Sequence, residues 1–361
     1  MDPKPVGAAI LLLAVAVIGG CGSNKTTVQS PTFFFVANND LNTFSRFQVD
    51  PGSGQLSMTG SISSGACNGP RYLEMHPSNK LVFVTCQLSN TVAVFAADPT
   101  GGLVLPGSPV PAGTSPFTVA VHPSGNFVYV SNIASNNVSA YTFSAATGLT
   151  EIPGSPFAAG ATPYWAEISD SGSFLYVANR DSNNVSVFRV DAGTGALTQI
   201  VGSPFPTDLG PRAVALTGKF AFVPNRFANN VSAFTVDPVS GALTPVPGSP
   251  FPAGTDPRSA AADLTGRFLY VPNTLSNDVS GYAINQTTGA LTPIAGSPFP
   301  GGAIPLQIDV DDSGKFVYIA NSGSNSVTVY SIDSAGGALH LMQTATTPGS
   351  AVSFAKVDFH Q

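Results

Sequence analysis

The sequence predicts an all-β fold, a seven-bladed β-propeller with four antiparallel strands in each blade. Three observations predict it. One short apolar phrase occurs seven times, as FFFVANN, LVFVTCQ, FVYVSNI, FLYVANR, FAFVPNR, FLYVPNT and FVYIANS. Its last-but-one positions, Asn38, Cys86, Asn132, Asn179, Asn225, Asn273 and Asn321, are spaced by 48, 46, 47, 46, 48 and 48 residues, and a fixed period of this size marks a repeat architecture. Each copy is rich in Phe, Val and Tyr, and a strand-only unit of ~40–50 residues is a propeller blade. The two ends of the chain also complement each other. The repeats open on a second strand with no first strand before it. The chain closes on AVSFAKVDF, residues 351–359, which has the first-strand pattern. That segment is expected to complete the first blade and close the ring.

Taken in order, residues 1–20 read as a lipoprotein signal peptide. Lys4 supplies a positive start, and Val6 to Ile18 is apolar but short for a bilayer span. The stretch ends in Ile18-Gly19-Gly20-Cys21, which resembles a bacterial lipobox and implies lipidation of Cys21. Cleavage at a nearby small residue of an ordinary signal peptide is the alternative. Residues 21–31 are polar and read as a tether, and 32–361 form the propeller. The expected location is the bacterial cell envelope, lipid-anchored and outside the cytoplasm. The lack of Asp after Cys21 points to the outer membrane.

One whole unit is readable from Phe117 to Phe157. FTVAVHP is the first strand (A), FVYVSNI the second (B), VSAYTFS the third (C) and LTEIPGSPF the outermost (D). Turns at Pro123-Ser124-Gly125-Asn126, Asn136-Asn137 and Ala146-Thr147-Gly148 separate them. A Gly-Ser-Pro ends each D strand from Gly107 to Gly296, and Pro is tolerated at a sheet edge. The recurring Asn after each B strand is expected to brace the B–C turn.

Only 9% of residues are charged, and the net charge of −6 excludes a nucleic-acid surface. Regular strands argue against disorder despite 37 Gly and 31 Pro. No haem, metal-ligand or nucleophile-elbow motif is present, so no cofactor and no metal are expected. Cys67 precedes an A strand and Cys86 ends the paired B strand. They sit at one end of one blade, as a disulfide in an exported protein or as two free thiols.

The chain resembles the seven-bladed propeller lactonase family and the surface-protein repeats named for Tyr-Val-Thr-Asn. Tyr129-Val130-Ser131-Asn132, Tyr176-Val177-Ala178-Asn179, His76-Pro77-Ser78, His122-Pro123-Ser124-Gly125, Asp50-Pro51…Gly54-Gln55-Leu56 and Asp237-Pro238…Gly241-Ala242-Leu243 carry the likeness. It spans roughly residues 32–360. It implies a propeller like the 6-phosphogluconolactonases, hydrolysing a small sugar-derived lactone. It equally includes extracytoplasmic members with no assigned role. Family activity is associated with His, Arg and Glu near the channel. None of this chain's four His falls there, so a His-dependent mechanism is not carried over.

Residues that break the repeat at one end of the channel are the site candidates. The position fifteen before each anchor (thirteen in one short blade) holds Arg71, Phe117, Tyr164, Arg212, Arg258 and Leu306. Arg180 and Arg226 follow their anchors directly, at the same end. Glu74 and Glu167 share the position twelve before the anchor, with Asp309 equivalent. Tyr72, Trp165 and Gln307 lie on their face of the strand. A base for water (Glu74 or Glu167) and a cation for the oxyanion (Arg71, Arg212 or Arg258) are what lactone hydrolysis needs. Tyr72, Trp165, Arg180, Arg226, Gln307 and Asp309 would contact a small anionic or sugar-like ligand. Two alternatives stand beside this reading. The acids pair with Arg across blades and are structural. Or the propeller is a non-catalytic module that binds an envelope protein or glycan.

Overall fold

Each copy of the repeated phrase forms the second strand of an antiparallel sheet, and seven such sheets follow one another along the chain. They are the blades of the expected seven-bladed propeller. The computed structural model describes residues 31–358. The expected signal peptide, Cys21 and all but the last residue of the tether lie outside the described residues. The B strands, such as Phe127–Asn132 and Phe174–Asn179, are buried at every position, Leu81 at the start of Leu81–Cys86 excepted, because both faces pack on neighbouring blades. Apolar clusters therefore form between blades. One joins Phe33, Phe35 and Phe44 of blade 1 to Leu73, Val82 and Val84 of blade 2.

Ring closure is made by the C-terminus. Ala351–Asp358 pairs with Thr32–Asn38, followed outward by Thr43–Val49 and Leu56–Ser63. Polar latches reinforce the stacking of blades. The B-strand Tyr129, Tyr176, Tyr270 and Tyr318 donate their hydroxyls to the carbonyls of Gly195, Gly241, Gly337 and Gly54 in adjacent blades. Gly241 has φ +77°, and a Cβ there would collide with the Phe174 ring, so glycine is required.

The D strand differs from its expected single run. It breaks at Gly-Ser-Pro into two short segments, Gly148–Glu151 and Phe157–Ala158 in blade 3, both pairing with strand C. The Ser hydroxyl fills the gap. Ser155, Ser203, Ser249 and Ser297 each accept a backbone N–H of strand C. A Pro in the middle of the strand removes a ladder donor, which is why the strand cannot run through.

The Asn residues of the B–C turns have two jobs, with Cys86 replacing the anchor Asn in blade 2. The anchor Asn donates its amide to side chains of strand C, as Asn132 does to Asn137 and Ser139 at 2.9 Å each. The turn Asn (42, 90, 136, 183, 229 or 277) sits at positive φ, which Asn tolerates. Its side-chain oxygen accepts the backbone N–H of Gly69, Ser115, Thr162, Gly210, Asp256 or Ile304 in the next blade, at 2.6–3.0 Å. Each of those residues immediately precedes the Pro that opens an A strand. Each blade thus fixes the entry of the innermost strand of its neighbour.

Cys67 and Cys86 are joined by a disulfide. Closing a loop of sequence separation 19 is expected to contribute about 3 kcal/mol. Reduction should therefore lower the melting temperature without changing strand content. Deleting the chain after Gly349 removes the closing strand and should abolish the single cooperative transition. A truncated protein that melts like the full chain would contradict closure by that strand.

Candidate functional site

The site grows from a proline. Pro70, Pro116, Pro163, Pro211, Pro257 and Pro305 each pair with the anchor position of their own blade, Cys86, Asn132, Asn179, Asn225, Asn273 or Asn321. In every case the register has slipped by one residue before pairing resumes, directly after Pro70, Pro163 and Pro305 and within the next few residues after Pro116, Pro211 and Pro257. Pro has no N–H to continue the ladder, and the extra residue bulges. The bulge re-aims the following side chain into the channel mouth. In blade 1 the same slip falls at Val352, between Ala351 and Ser353.

The result is a ring with one residue from each blade: Arg71, Phe117, Tyr164, Arg212, Arg258, Leu306 and Val352. All seven line one small cavity, together with Tyr72, Trp165 and Gln307. That cavity is about 20 Å³, room for about one water. Tyr72, Trp165 and Gln307 form the next layer and are shared with a second, larger cavity of about 250 Å³. Its walls hold Glu74, Glu167 and Asp309, with Ala215 and Ala261 at the equivalent positions of blades 5 and 6. Small residues there leave the space. Three residues of strand separate the ring from the acid layer, about 10 Å at the usual rise.

The arginines are only partly neutralised. Arg258 lies 2.8 Å from Asp256, which also takes Arg226 at 2.8 Å. Arg180 is bound to Asp181 at 2.6 Å and lies over the Tyr164 ring. These two sequence candidates, Arg180 and Arg226, are held by neighbouring carboxylates and do not line either cavity. Arg71 and Arg212 form no ion pair among the described residues. The Arg71 guanidinium carbon is 4.5 Å from the Phe117 ring centroid, and that of Arg212 is 3.5 Å from the Tyr164 centroid. Arg212 is 4% exposed, and its Nη1 has no hydrogen-bond partner.

Burial lowers Arg71 to about 10 and Arg212 to about 9, with Tyr164 opposing the fall and Arg258 adding to it. Both stay cationic at neutral pH, held where an anion would relieve them. Tyr164 responds in the opposite sense. Burial pushes its phenol up, but Arg212, Arg71 and Arg180 pull it below its ordinary value.

The acids show the converse. Among the described residues, none of Glu74, Glu167 and Asp309 forms an ion pair, so the arginine-paired arrangement of inner-strand acids is absent. Burial, then Glu167 and Asp309, hold Glu74 well above the usual carboxylate range. Burial raises Glu167 to about 7 despite the 2.9 Å hydrogen bond it accepts from the Trp165 indole. Asp309 is also raised to about 7 by its enclosure within the ring, although its surface opens on the water-accessible cavity. Gln307 is buried and accepts the Phe354 N–H through Oε1. Tyr72 and Trp165 meet edge to face at 5.0 Å.

Sequence reasoning placed the arginines and acids near the channel but not in separate layers. It gave no role to Tyr164, Phe117 or Asp256. The signal for the first two was the fifteen-residue offset itself, which they share with the arginines. His76 and His122 are hydrogen-bonded to Ser78 and Ser124 in their own turns and reach the backbone of Gly125 and Gly172 in the next blade. No cluster of three His, Cys, Asp or Glu among the described residues is placed to hold a metal ion.

The family model for the lactonase seven-bladed β-propeller matches residues 26–208, 203–304 and 295–351. The 6-phosphogluconolactonase of Bacillus subtilis is 28% identical over 126 residues, 33% of this chain. The match spans only 36% of that protein's length. Two solved structures share the fold across nearly the whole chain. A Bacteroides fragilis protein named as a candidate 6-phosphogluconolactonase has a TM-score of 0.82, with 19% identity over 93% of this chain and all of the other. The periplasmic gluconolactonase of Pseudomonas aeruginosa has a TM-score of 0.78, with 19% identity over 91% of this chain and 99% of the other. With a matching model that spans almost the full propeller, the chain belongs to the seven-bladed β-propeller lactonase family.

Proposed function

We propose that this protein hydrolyses a small, sugar-derived lactone in the channel, with the lactone ring at the level of Tyr72, Trp165 and Gln307. The observation that carries the reading is that Arg71 and Arg212 in one layer, and all three carboxyls in the other, form no ion pair among the described residues. Arg212 keeps a buried nitrogen without a partner. The carboxyls of Glu74 and Glu167, in the layer behind, have no cation to neutralise them. Buried cations without counter-ions on one side of a cavity, and carboxyls pushed toward their protonated form on the other, cost stability, and ligand chemistry is the reason to retain them. The larger cavity, at about 250 Å³, suits a small ring compound. The related proteins named for gluconolactone and phosphogluconolactone hydrolysis support the substrate class.

The chemistry follows from the layering. A carboxylate, Glu167 or Glu74, takes a proton from water in the acid chamber. The water oxygen adds to the lactone carbonyl carbon. Arg71, Arg212 and Arg258, on the other side, attract the carbonyl oxygen or an anionic substituent and favour the charge of the tetrahedral intermediate. The carbon–ring oxygen bond then breaks, giving a hydroxy acid. A base hydrogen bond, an attack distance of ~3 Å, one C–O bond and a final hydrogen bond together span about 10 Å. A lactone at the level of Tyr72, Trp165 and Gln307, which line both cavities, would lie between the two layers.

We also propose that the protein is exported and lipid-anchored through Cys21. Its disulfide supports an oxidising compartment. A second reading, a docking module for an envelope protein or glycan, is favoured by one observation. Leu88, Phe227 and Leu275, each two residues past an anchor, are more than half exposed at the arginine end.

Proton release by the purified protein against a panel of lactones tests the first reading. Turnover should rise with pH through about 7, because the base acts only when ionised and burial holds Glu167 there. Glu167→Gln should cut kcat by about 100-fold or more and flatten that limb. An Arg212→Gln variant should raise KM or lower kcat/KM by at least tenfold, as loss of a charge-assisted hydrogen bond does. Failure of the wild-type protein to open any lactone would sink the reading in favour of the docking module.

A further inference from the structure

We propose that Tyr164 is the proton donor to the departing ring oxygen, a role that rests on the lactonase reading but is separate from it. Hydrolysis needs two proton transfers. The acid layer can serve the water side. The opposite side, where the alkoxide leaves, is bounded by the ring of bulge residues, and that ring contains one titratable group besides its arginines.

Tyr164 occupies the bulge after Pro163, so its phenol is aimed into the mouth cavity rather than between blades. Seven of the propeller's other tyrosines make a useful contrast. Tyr129, Tyr141, Tyr176, Tyr270, Tyr282, Tyr318 and Tyr330 donate to backbone carbonyls and serve as latches. Tyr72, the eighth, lies beside the acid layer, where burial and the carboxyls hold its phenol well above its ordinary value and make it the poorer donor. Tyr164 makes no such bond to the backbone. Its neighbours are cations and a ring. Arg212 lies 3.5 Å from its centroid, Arg180 5.1 Å, and Phe117 packs on it at 4.3 Å. The ring is held in place by stacking, and the turn that carries it is held by Asn136, which accepts the Thr162 N–H at 2.8 Å. A phenol locked in this way costs little reorganisation at the moment of transfer.

Proximity to guanidinium groups stabilises a phenolate and so makes the phenol a better acid than free tyrosine. The same guanidinium groups could polarise the carbonyl, so one cluster serves both the oxyanion and the leaving group. The step balances without a further reactant. As the C–O bond breaks, its electron pair stays on the ring oxygen. The Tyr164 hydroxyl gives that oxygen its proton. The protonated carboxyl of the acid layer then gives its proton to solvent, the phenolate takes one back from solvent, and ionisation of the product carboxylic acid releases the one net proton of hydrolysis.

Tyr164→Phe keeps the ring, its stacking and the guanidinium of Arg212 over its face, and removes the hydroxyl with the hydrogen bonds it shares with Arg212 and Arg180. The discriminating readout is the leaving group. An aliphatic lactone expels a strongly basic alkoxide and needs the donor, whereas an aryl lactone such as dihydrocoumarin expels a phenoxide and does not. The expected result is a fall in kcat of about 100-fold or more on aliphatic lactones, with less than about fivefold on aryl lactones, and KM nearly constant for both. Equal losses on the two classes, or none, would overturn the role of Tyr164 while leaving the lactonase reading intact. A wild-type protein inactive on both classes would overturn both.

Discussion

The site depends on one repeated hydrogen bond, from a backbone N–H at the entry of each inner strand to the turn Asn of the preceding blade. Asn42, Asn90, Asn136, Asn183, Asn229 and Asn277 all make it. It fixes the residue before the Pro, the Pro pairs with the anchor, and the next residue must bulge. The bulge turns a strand position that would alternate between faces into one that points along the axis. Without it, Arg71 and Tyr72 would lie on opposite faces of the blade. With it, both line the same cavity. The scaffold motif that makes the sequence so repetitive is therefore also what presents the few residues that differ.

The electrostatics follow from this arrangement. Cations occupy the bulge level and carboxyls the level three residues further on, so like charges are neighbours around the axis and opposite charges are kept apart along it. Each layer is strained in the expected direction: the buried arginines are less basic, the buried acids less acidic. Asp256 and Asp181 relieve the periphery of the cationic layer by binding Arg226, Arg258 and Arg180. Its buried centre, Arg212 and Arg71, is left to the aromatic faces of Tyr164 and Phe117. A ligand with a polarised carbonyl or an anionic group supplies what these aromatics cannot.

Much of the fold was legible because a seven-fold repeat states its own architecture, and a missing first strand with a spare last one states its own closure. The break in strand D was less legible, because the Ser hydroxyl that bridges it acts through a contact no local pattern records. In the site, repeat-breaking Arg71, Arg212, Arg258, Glu74 and Glu167 could be found by alignment of the chain with itself. Their separation into layers could not, because a one-residue bulge changes which side chains share a face. Tyr164 was passed over because an aromatic at a strand start reads as packing until its cationic neighbours are in place. Arg180 and Arg226 lie at the arginine end of the propeller, and their partners are Asp181, the next residue in sequence, and Asp256, an acid at the recurring position before an A-strand Pro; neither pairing is given by the Arg positions alone.

Trp165 offers the most direct test of the account's central claim, that one ligand lies between the arginine ring and the acid layer. It is the only Trp in the chain, it lines both cavities, and its indole donates to Glu167. Its emission, followed while the hydroxy-acid product of a turned-over lactone is added, should change saturably in the wild-type protein, and the change should be lost in Arg212→Gln. Saturable binding of that product by calorimetry with Trp165 emission unmoved would place the ligand elsewhere and contradict the account.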